Sequence, residues 1–305
     1  MATQPSPIKF AIKKMTPDQE PYKFLFYGVE GIGKSTLAAS MPGAVFIPVE
    51  NPRLVADAFP QPKTLDDVYE MLAFLAESIH PYKTVVVDSI DALEPLIWAH
   101  VCKRDGSHSI EDVGKGYGKG YVCAAEEWIA YLARLERIWE KGINVVQIGH
   151  STVRVFNNPD GDNYERYSMR LFESKEIKPG ARLRAWSDAV LFLNYETVLL
   201  KDKTKKTKAK ETGARLIHTE WRATFDAKNR FNLPPTVPLS WEDLSAAIAD
   251  GKRFPAKRIR ESIVEKLSQI TDAEVRAKAG AAFISAGENL AILEKIDNRL
   301  SVILS

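Results

Sequence analysis

The stretch that decides the fold is Gly28–Thr36, which reads GVEGIGKST and satisfies the phosphate-loop pattern G-x-x-x-x-G-K-[ST]. It lies between an apolar run, Tyr22–Tyr27, and a helix-like run, Ser35–Ser40. The glycines allow backbone N–H groups to turn inward around phosphate oxygens, and the following helix adds the positive end of its dipole. In this pattern the lysine binds the β- and γ-phosphates, and the next hydroxyl ligates Mg²⁺. The sequence therefore predicts binding of a nucleoside triphosphate.

Length and composition are consistent with one large α/β domain and a small appendage. The chain has 305 residues, of which 45% are hydrophobic and 27% charged, as in ordinary globular proteins. The net charge is only +2, so a nucleic-acid surface would need local clustering of cations. Two cysteines suggest no disulfide framework, and no apolar run reaches the ~18–20 residues of a membrane span. We therefore expect a cytoplasmic protein with no membrane partner.

Apolar runs alternate with helical patterns over the first half of the chain. Strands are predicted at Ala44–Val49, Thr84–Val87 and Ile143–Ile148. Helices are predicted at Leu65–Ile79, Ala92–Val101 and Tyr121–Lys141. This alternation predicts an α/β fold with a mostly parallel sheet, helices on both faces, and ligands at the carboxyl ends of the strands.

The pattern changes after residue 150. Residues 151–181 are polar without convincing periodicity, which predicts a long loop of the kind that is usually functional. A further strand is predicted at Asp188–Leu193, and a β-hairpin flanks the lysine-rich turn Lys201–Lys210. A proline-rich stretch at 234–238 marks a boundary. We therefore divide the chain into a flexible lead (1–20), a core (21–239) and a C-terminal helical region (240–305).

Polar side chains follow three of the predicted strands. Asp88 closes TVVVD, and a carboxylate there is expected to hold Mg²⁺ through water, although many buried strands end in aspartate. Glu50 follows AVFIPV and is a candidate to polarise an attacking water; the alternative is a solvated loop residue. Gln147 and His150 close the third strand, either as sensors of the γ-phosphate or as ordinary strand-end polar residues.

Four segments together resemble the ATPase core of the RecA superfamily: GVEGIGKST, AVFIPVEN, VVVDSIDAL and NVVQIGHS. The segment GYGKGYVCAAEEWIAYL is similar to the helix that precedes the fourth strand in that family. The resemblance covers about residues 20–240 and implies a RecA-like P-loop NTPase core that uses ATP and Mg²⁺. It also implies that Glu50 occupies the position of the glutamate that activates water.

Residues 227–231 read AKNRF, which is similar to the KNRFG motif of bacterial RadA and to the lysine/arginine pair of DnaB-type ring helicases. In those relatives the basic residues reach the γ-phosphate held by the neighbouring subunit. Lys228 and Arg230 match that motif, and Asn232 replaces its glycine. The resemblance implies a homo-oligomer, a ring or a filament, with ATP at its subunit interfaces.

The closest overall resemblance is to phage-encoded RecA-like ATPases of recombination and single-strand annealing, which implies single-stranded DNA as partner and the cytoplasm of an infected bacterium. The catalytic residues implied are Lys34, Glu50, Asp88, Lys228 and Arg230. The nucleotide-binding residues implied are Gly28, Glu30, Gly31, Ile32, Gly33, Lys34, Ser35, Thr36 and His150. Mg²⁺ is assigned to Ser35 and Asp88.

Two basic segments are candidates for contact with DNA. The segment 151–181 mixes cations with aromatic side chains, as suits single strands, and DNA-binding loops follow the fourth strand in RecA relatives. The lysine-rich turn suits sequence-independent contact with phosphates. The candidate residues are Arg154, Arg166, Arg170, Lys175, Lys203, Lys205 and Lys206. A disordered or interface loop, and a merely solvated turn, remain the alternatives.

Other functions stay open at this point. A ring motor or helicase accessory would share the same ATPase core. A nucleotide-switched module that organises a single-strand-binding protein would bind ATP with negligible turnover. A small-molecule kinase is least favoured, because the sequence shows no lid or acceptor-binding motif.

Overall fold

The computed structural model describes residues 20–50, 53–159, 161–201, 207–253, 255–287 and 289–304. Nearly all of the predicted N-terminal lead lies outside the described residues, as do the DNA candidates Lys203, Lys205 and Lys206. Within the described ranges, no helix has both the length and the apolar character needed to cross a bilayer.

The strands of the described chain form one ten-stranded sheet. They are β1 (Lys23–Gly28), β2 (Ala44–Pro48), β3 (Asp57–Ala58), β4 (Thr84–Asp88), β5 (Asn144–Phe156), β6 (Tyr164–Met169), β7 (Ala189–Lys201), β8 (Thr207–His218), β9 (Lys228–Asn229) and β10 (Thr236–Pro238). The order is β10-β8-β7-β1-β5-β4-β2-β3, with β6 on β5 and β9 on β7. Neighbours from β7 to β3 pair parallel, whereas β6, β8, β9 and β10 pair antiparallel.

Helices connect and cover these strands. They are α1 (Lys34–Ala39), α2 (Leu65–Glu77), α3 (Ile90–Asp105), α4 (Lys119–Glu140), α5 (Pro179–Trp186), α6 (Trp241–Arg253), α7 (Pro255–Gln269), α8 (Ala273–Ala286) and α9 (Leu290–Leu304).

Alternate side chains of the strands enter two cores on opposite faces of the sheet, as a two-residue period requires. In β1, Leu25 and Tyr27 join the cluster under α2–α5, whereas Phe24 and Phe26 join the cluster under α1 and α6. These two layers confirm the predicted α/β fold, with a mostly parallel sheet and helices on both faces.

The C-terminal helices do not all pack in the same place. On α6, Leu244 and Ile248 belong to the core cluster of the sheet. Helices α7–α9 enclose a cluster of their own, which includes Ile263, Leu293 and Leu300. The predicted C-terminal helices are present, and their contacts favour a domain boundary between α6 and α7; the boundary at residue 240 stays a prediction.

The predicted long loop at 151–181 is wrong. Strand β5 continues to Phe156 and pairs antiparallel with β6, from Ser151 opposite Met169 to Phe156 opposite Tyr164, and α5 follows. The extension of β5 does alternate, but its apolar residues Val153 and Val155 are exposed. Because no core covers these valines, the alternation lacked the buried face that usually identifies a strand. The predicted hairpin, β7 with β8, is confirmed.

Candidate nucleotide site

The phosphate loop joins β1 to α1 at the carboxyl edge of the sheet. Gly31 and Gly33 have φ values of 73° and 111°, which side-chain-bearing residues rarely adopt. Gly28 is required for another reason: a Cβ atom there would lie 2.0 Å from the carbonyl oxygen of Leu193 on β7. Ile32 anchors the loop in the core beneath α1. The glycine spacing of the motif thus follows from the local backbone and the neighbouring strand.

Lys34 is held inside this loop. Its Nζ donates hydrogen bonds to the carbonyl oxygens of Gly28, at 3.2 Å, and Val29, at 2.9 Å. Burial lowers the pKa of Lys34, and nearby carboxylates, Asp88 first among them, oppose this shift. The ammonium group therefore lies inside the phosphate loop and close to carboxylates, among them Asp88 and Glu50.

Ser35 and Asp88 meet in the position expected for a magnesium site. The Ser35 hydroxyl donates to Oδ2 of Asp88 at 2.5 Å, while Oδ1 is buried with no hydrogen-bond partner among the described residues. Asp88 is only 1% exposed, and burial raises its pKa to about 6, although the Ser35 hydrogen bond lowers it. An unpartnered carboxylate oxygen beside a hydroxyl fits Mg²⁺, which is usually bound through one or two carboxylates, waters and substrate phosphates.

The described residues contain no cluster of three or more His, Cys, Asp or Glu side chains able to hold a metal by themselves. A magnesium ion at Ser35 and Asp88 would therefore take its remaining ligands from phosphates and water, which is its habit in nucleotide sites. The residues present thus fit a cation that arrives with a nucleotide.

Glu50 lies at the end of β2, next to this cluster. Its backbone N–H donates to the carbonyl oxygen of Asp88 at 3.0 Å, which fixes the loop against β4. Its carboxylate is partly exposed, and Oε1 is 3.8 Å from Nε2 of His150. The structure therefore brings together the polar ends of the three predicted strands and the phosphate loop.

His150 lies opposite Gly28 in the parallel pairing of β5 with β1. Its Nδ1 is 3.0 Å and 3.2 Å from the two carboxylate oxygens of Asp91, in the first turn of α3. Arg170, just after β6, binds both Asp91, at 2.8 Å, and Glu30 of the phosphate loop, at 2.9 Å. Sequence reasoning missed Asp91, for which the available signal was an acidic residue three positions after Asp88.

Gln147, the other predicted sensor, is fully buried in the middle of the sheet between Leu25 and Val87. Its side-chain oxygen and nitrogen both lack a hydrogen-bond partner among the described residues. Buried amide groups are normally hydrogen-bonded, so an unpaired one beside the candidate site is unusual. The role of Gln147 as a sensor of the γ-phosphate stays a prediction.

Lys228 and Arg230 are not brought to this chain's own phosphate loop. Strand β9 pairs with the first residues of β7, whereas the phosphate-loop end of β1 pairs further along β7, at Leu193. Nζ of Lys228 donates to three backbone carbonyls, those of Arg184, Ala185 and Ser187, at the end of α5. Arg230 pairs with Asp188 at 3.2 Å and is 59% exposed.

The described arginines among the DNA candidates are paired inside the protein. Arg166 is buried and binds Asp226 at 2.8 Å. Arg154 binds Glu173 at 3.1 Å, and Arg170 bridges two carboxylates as described above. Lys175 is exposed. The charge that these arginines present to solvent is therefore smaller than the sequence suggested.

A cavity of about 470 Å³ opens beside the phosphate loop and was not foreseen from the sequence. Gly33 and Thr36 line one side, and Arg215, Leu239 and Trp241 line the other. A Cβ atom on Gly33 would be 3.3 Å from Leu239. The two sides are about 200 positions apart in the chain, so no local pattern announces this cavity.

Comparison with known proteins agrees with this geometry. A family model described as an AAA domain matches residues 20–231, more than two thirds of the chain. The chain belongs to the AAA domain family. The matched residues include the phosphate loop Gly28–Thr36. The crystal structure of the RadB recombinase is similar to this AAA domain, with 15% sequence identity, a TM-score of 0.40, and coverage of 73% of this chain and 90% of that chain. No curated protein matches the sequence.

Proposed function

We propose that this AAA domain hydrolyses ATP with Mg²⁺ and acts on single-stranded DNA in phage-type recombination or strand annealing. The observation that carries the ATPase is the cluster of Lys34, Ser35 and Asp88 with the partly exposed Glu50 beside it. Lys34 would neutralise the terminal phosphates, Ser35 and Asp88 would hold Mg²⁺, and Glu50 would orient and deprotonate water. Bound Mg²⁺ supplies neutralisation of the charge on the phosphate oxygens.

The cavity beside α1 is the proposed site of the base. Its volume of about 470 Å³ lies within the usual range for ligand sites, and Thr36 places it directly after the phosphate loop. Trp241 and Leu239 offer apolar contact to a flat ring, and Arg215 offers a donor. A Trp241→Ala variant is expected to weaken nucleotide binding while leaving inorganic phosphate release per bound nucleotide unchanged.

Oligomerisation is proposed because Lys228 and Arg230 lie away from this chain's own phosphate loop. A neighbouring subunit would then receive these cations, and arginine fingers contribute roughly 10³–10⁵ in rate elsewhere. The test mixes Lys34→Ala with Arg230→Ala subunits. Random assembly leaves about a quarter of the interfaces with both residues intact, so activity should return in the mixture. Two inactive variants that stay inactive together would contradict a shared site.

DNA dependence is the finer part of the proposal. It rests on exposed Lys175 near the hairpin β5–β6 and on the lysine-rich turn. ATP hydrolysis should be measured without DNA, with single-stranded DNA and with duplex, using Lys34→Ala as the blank. Stimulation by single-stranded DNA would support the recombination role. We propose that this role is carried out in the cytoplasm of an infected bacterium, together with a single-strand-binding protein.

A second function is favoured by one observation. Arg154, Arg166 and Arg170 are all engaged in internal ion pairs, which leaves less charge for DNA than the sequence implied. A nucleotide-switched module that works through a single-strand-binding protein needs no such surface. ATP binding with turnover that is indifferent to DNA would support this module.

A further inference from the structure

A chain of contacts leaves the candidate site and ends at the hairpin β5–β6. His150 contacts Asp91 through Nδ1 and through its backbone N–H, which donates to Oδ1 of Asp91 at 3.0 Å. Arg170 binds Asp91 through Nε, at 3.1 Å, and Nη2, at 2.8 Å. The backbone N–H of Arg170 donates to the carbonyl oxygen of His150 at 2.9 Å. Each of the three residues, His150, Asp91 and Arg170, is thus hydrogen-bonded to the other two.

Asp91 is an ionised acceptor among these three residues. Its side chain is 6% exposed, and burial alone would raise its pKa, but hydrogen bonds from His150 and Arg170 outweigh burial and hold the pKa below its usual range. A carboxylate only accepts hydrogen bonds, so Nδ1 of His150 must carry the proton that it shares with Asp91. The other nitrogen, Nε2, is then the one that faces Glu50.

The consequence for chemistry follows from the orientation of the ring. With Nδ1 tied to Asp91, Nε2 is left as the group that meets either water or a phosphate oxygen. A carboxylate behind an imidazole fixes its tautomer and stabilises the charged ring when that forms. Arg170 adds a second constraint, since it ties Asp91 to Glu30 on the phosphate loop.

We propose that Asp91 and Arg170 are positioning residues of the ATPase: Asp91 orients His150 beside Glu50, and Arg170 locks Asp91 to the phosphate loop. This inference rests on the proposed hydrolysis of ATP. Because Arg170 directly follows β6, it also ties the end of the hairpin β5–β6 to Asp91 on α3. Neither residue touches the reacting atoms; both act through the ring.

The test uses Asp91→Asn, which keeps the size of the side chain and removes its charge. We expect kcat to fall about 10²-fold, the scale of one acid–base group, with nucleotide affinity unchanged. The matched control is Asp66→Asn. Asp66, on α2, also faces a histidine, with its Oδ1 at 3.5 Å from Nδ1 of His100. His100 lies in the last two turns of α3, away from the candidate site. That control should leave kcat at the wild-type value.

Arg170 is tested in the same assay. Arg170→Ala should lower kcat while preserving nucleotide affinity, and Arg170→Lys should restore part of the loss, since an ammonium keeps one charged contact. Arg137→Ala, which breaks an exposed pair with Glu77, is the control. Equal losses of affinity and kcat in Arg170→Ala would show that Arg170 merely supports the phosphate loop, and would overturn the proposal.

A spectroscopic measurement keeps the inference separate from the proposed function. The ¹⁵N imidazole signals of the five histidines report the tautomer of each ring, and His150 is assigned by His150→Gln. Asp91→Asn should shift the His150 signals, and Asp66→Asn should shift only those of His100. If the wild type hydrolyses no ATP, the proposed function fails, while this signature still decides the positioning. Unchanged His150 signals in Asp91→Asn would overturn it.

Discussion

At the scale of single residues, two carboxyl groups at and near the candidate site are buried, and burial raises the pKa of both. Asp88 lies two residues before α3, and Glu94 lies near the start of that helix. Burial raises the pKa of Asp88 to about 6 and that of Glu94 to about 7. Oδ1 of Asp88 has no hydrogen-bond partner in the described part of the chain, which fits a ligand of Mg²⁺. Glu94 instead accepts the backbone N–H of Phe172, at 2.9 Å, and so fastens the segment after β6 to α3.

Glu94 makes the stability of the protein depend on pH. Its folded-state pKa of about 7 exceeds the ordinary 4.5, so folding disfavours the ionised form and stability falls as pH rises from about 4.5 to 7. We expect Glu94→Gln to be more stable than the wild type above pH 7 by up to about 3 kcal/mol, with the difference vanishing near pH 4. Urea denaturation at several pH values measures this. Exposed Glu126 supplies the control, and a Glu126→Gln difference of the same size would contradict the assignment.

Gly28 tests the close approach of β7 to the phosphate loop. We expect Gly28→Ala to lower the free energy of unfolding by about 2 kcal/mol or more, because its Cβ would lie 2.0 Å from a backbone oxygen that cannot retreat. Gly280→Ala in α8 is the matched change with open space around it, and it should raise stability by about 0.5–1 kcal/mol. Equal effects in urea denaturation would refute the crowding argument.

At the scale of residues, sequence reasoning could group candidate site residues that are local in sequence; their roles stay predictions. Gly28, Lys34 and Ser35 belong to one motif of nine consecutive residues, Gly28–Thr36, so a single stretch of sequence identifies all three. The pair Asp91 and Arg170 was not predictable as a pair, since 79 positions separate partners that only the register of β5 and β6 brings together. The cavity beside α1 escaped for the same reason.

At the scale of elements, the central strands were predicted because they are buried on both faces. Runs such as Val85–Val87 are apolar throughout, which a solvated loop does not tolerate. The hairpin β5–β6 was missed although two signals were present: Val153 and Val155 stand on either side of Arg154, and the turn NNPDGD follows. Pro179, the first residue of α5, was a separate signal, for the start of that helix.

Lys228 gives a prediction about α5. Its three hydrogen bonds to carbonyls at the end of that helix should make Lys228→Ala less stable by about 1.5–3 kcal/mol. Arg230→Ala breaks an exposed pair and should cost under about 1 kcal/mol. Thermal or urea unfolding distinguishes the two. A Lys228→Ala variant as stable as the wild type would show that these three hydrogen bonds do not stabilise the fold.

At the scale of the whole molecule, the sheet holds two groups of predicted site residues apart. The carboxyl ends of the parallel strands gather the phosphate loop, Asp88, Glu50 and His150, while β9 places Lys228 and Arg230 toward the other ends. The C-terminal helices α7–α9 enclose their own cluster. The proposed assembly, in which Lys228 and Arg230 of one subunit meet the phosphate loop of a neighbour, would use this separation.

The central claim is that Glu50 performs the hydrolysis of a nucleotide held by Lys34, Ser35 and Asp88. The most direct measurement compares ATP affinity and single-turnover hydrolysis in the wild type, Glu50→Gln and Lys34→Ala, with and without Mg²⁺. We predict that Glu50→Gln binds ATP as tightly as the wild type and hydrolyses it about 10²–10⁴-fold more slowly, whereas Lys34→Ala loses binding. Wild-type turnover in Glu50→Gln, or equal loss of binding and turnover, would contradict the claim.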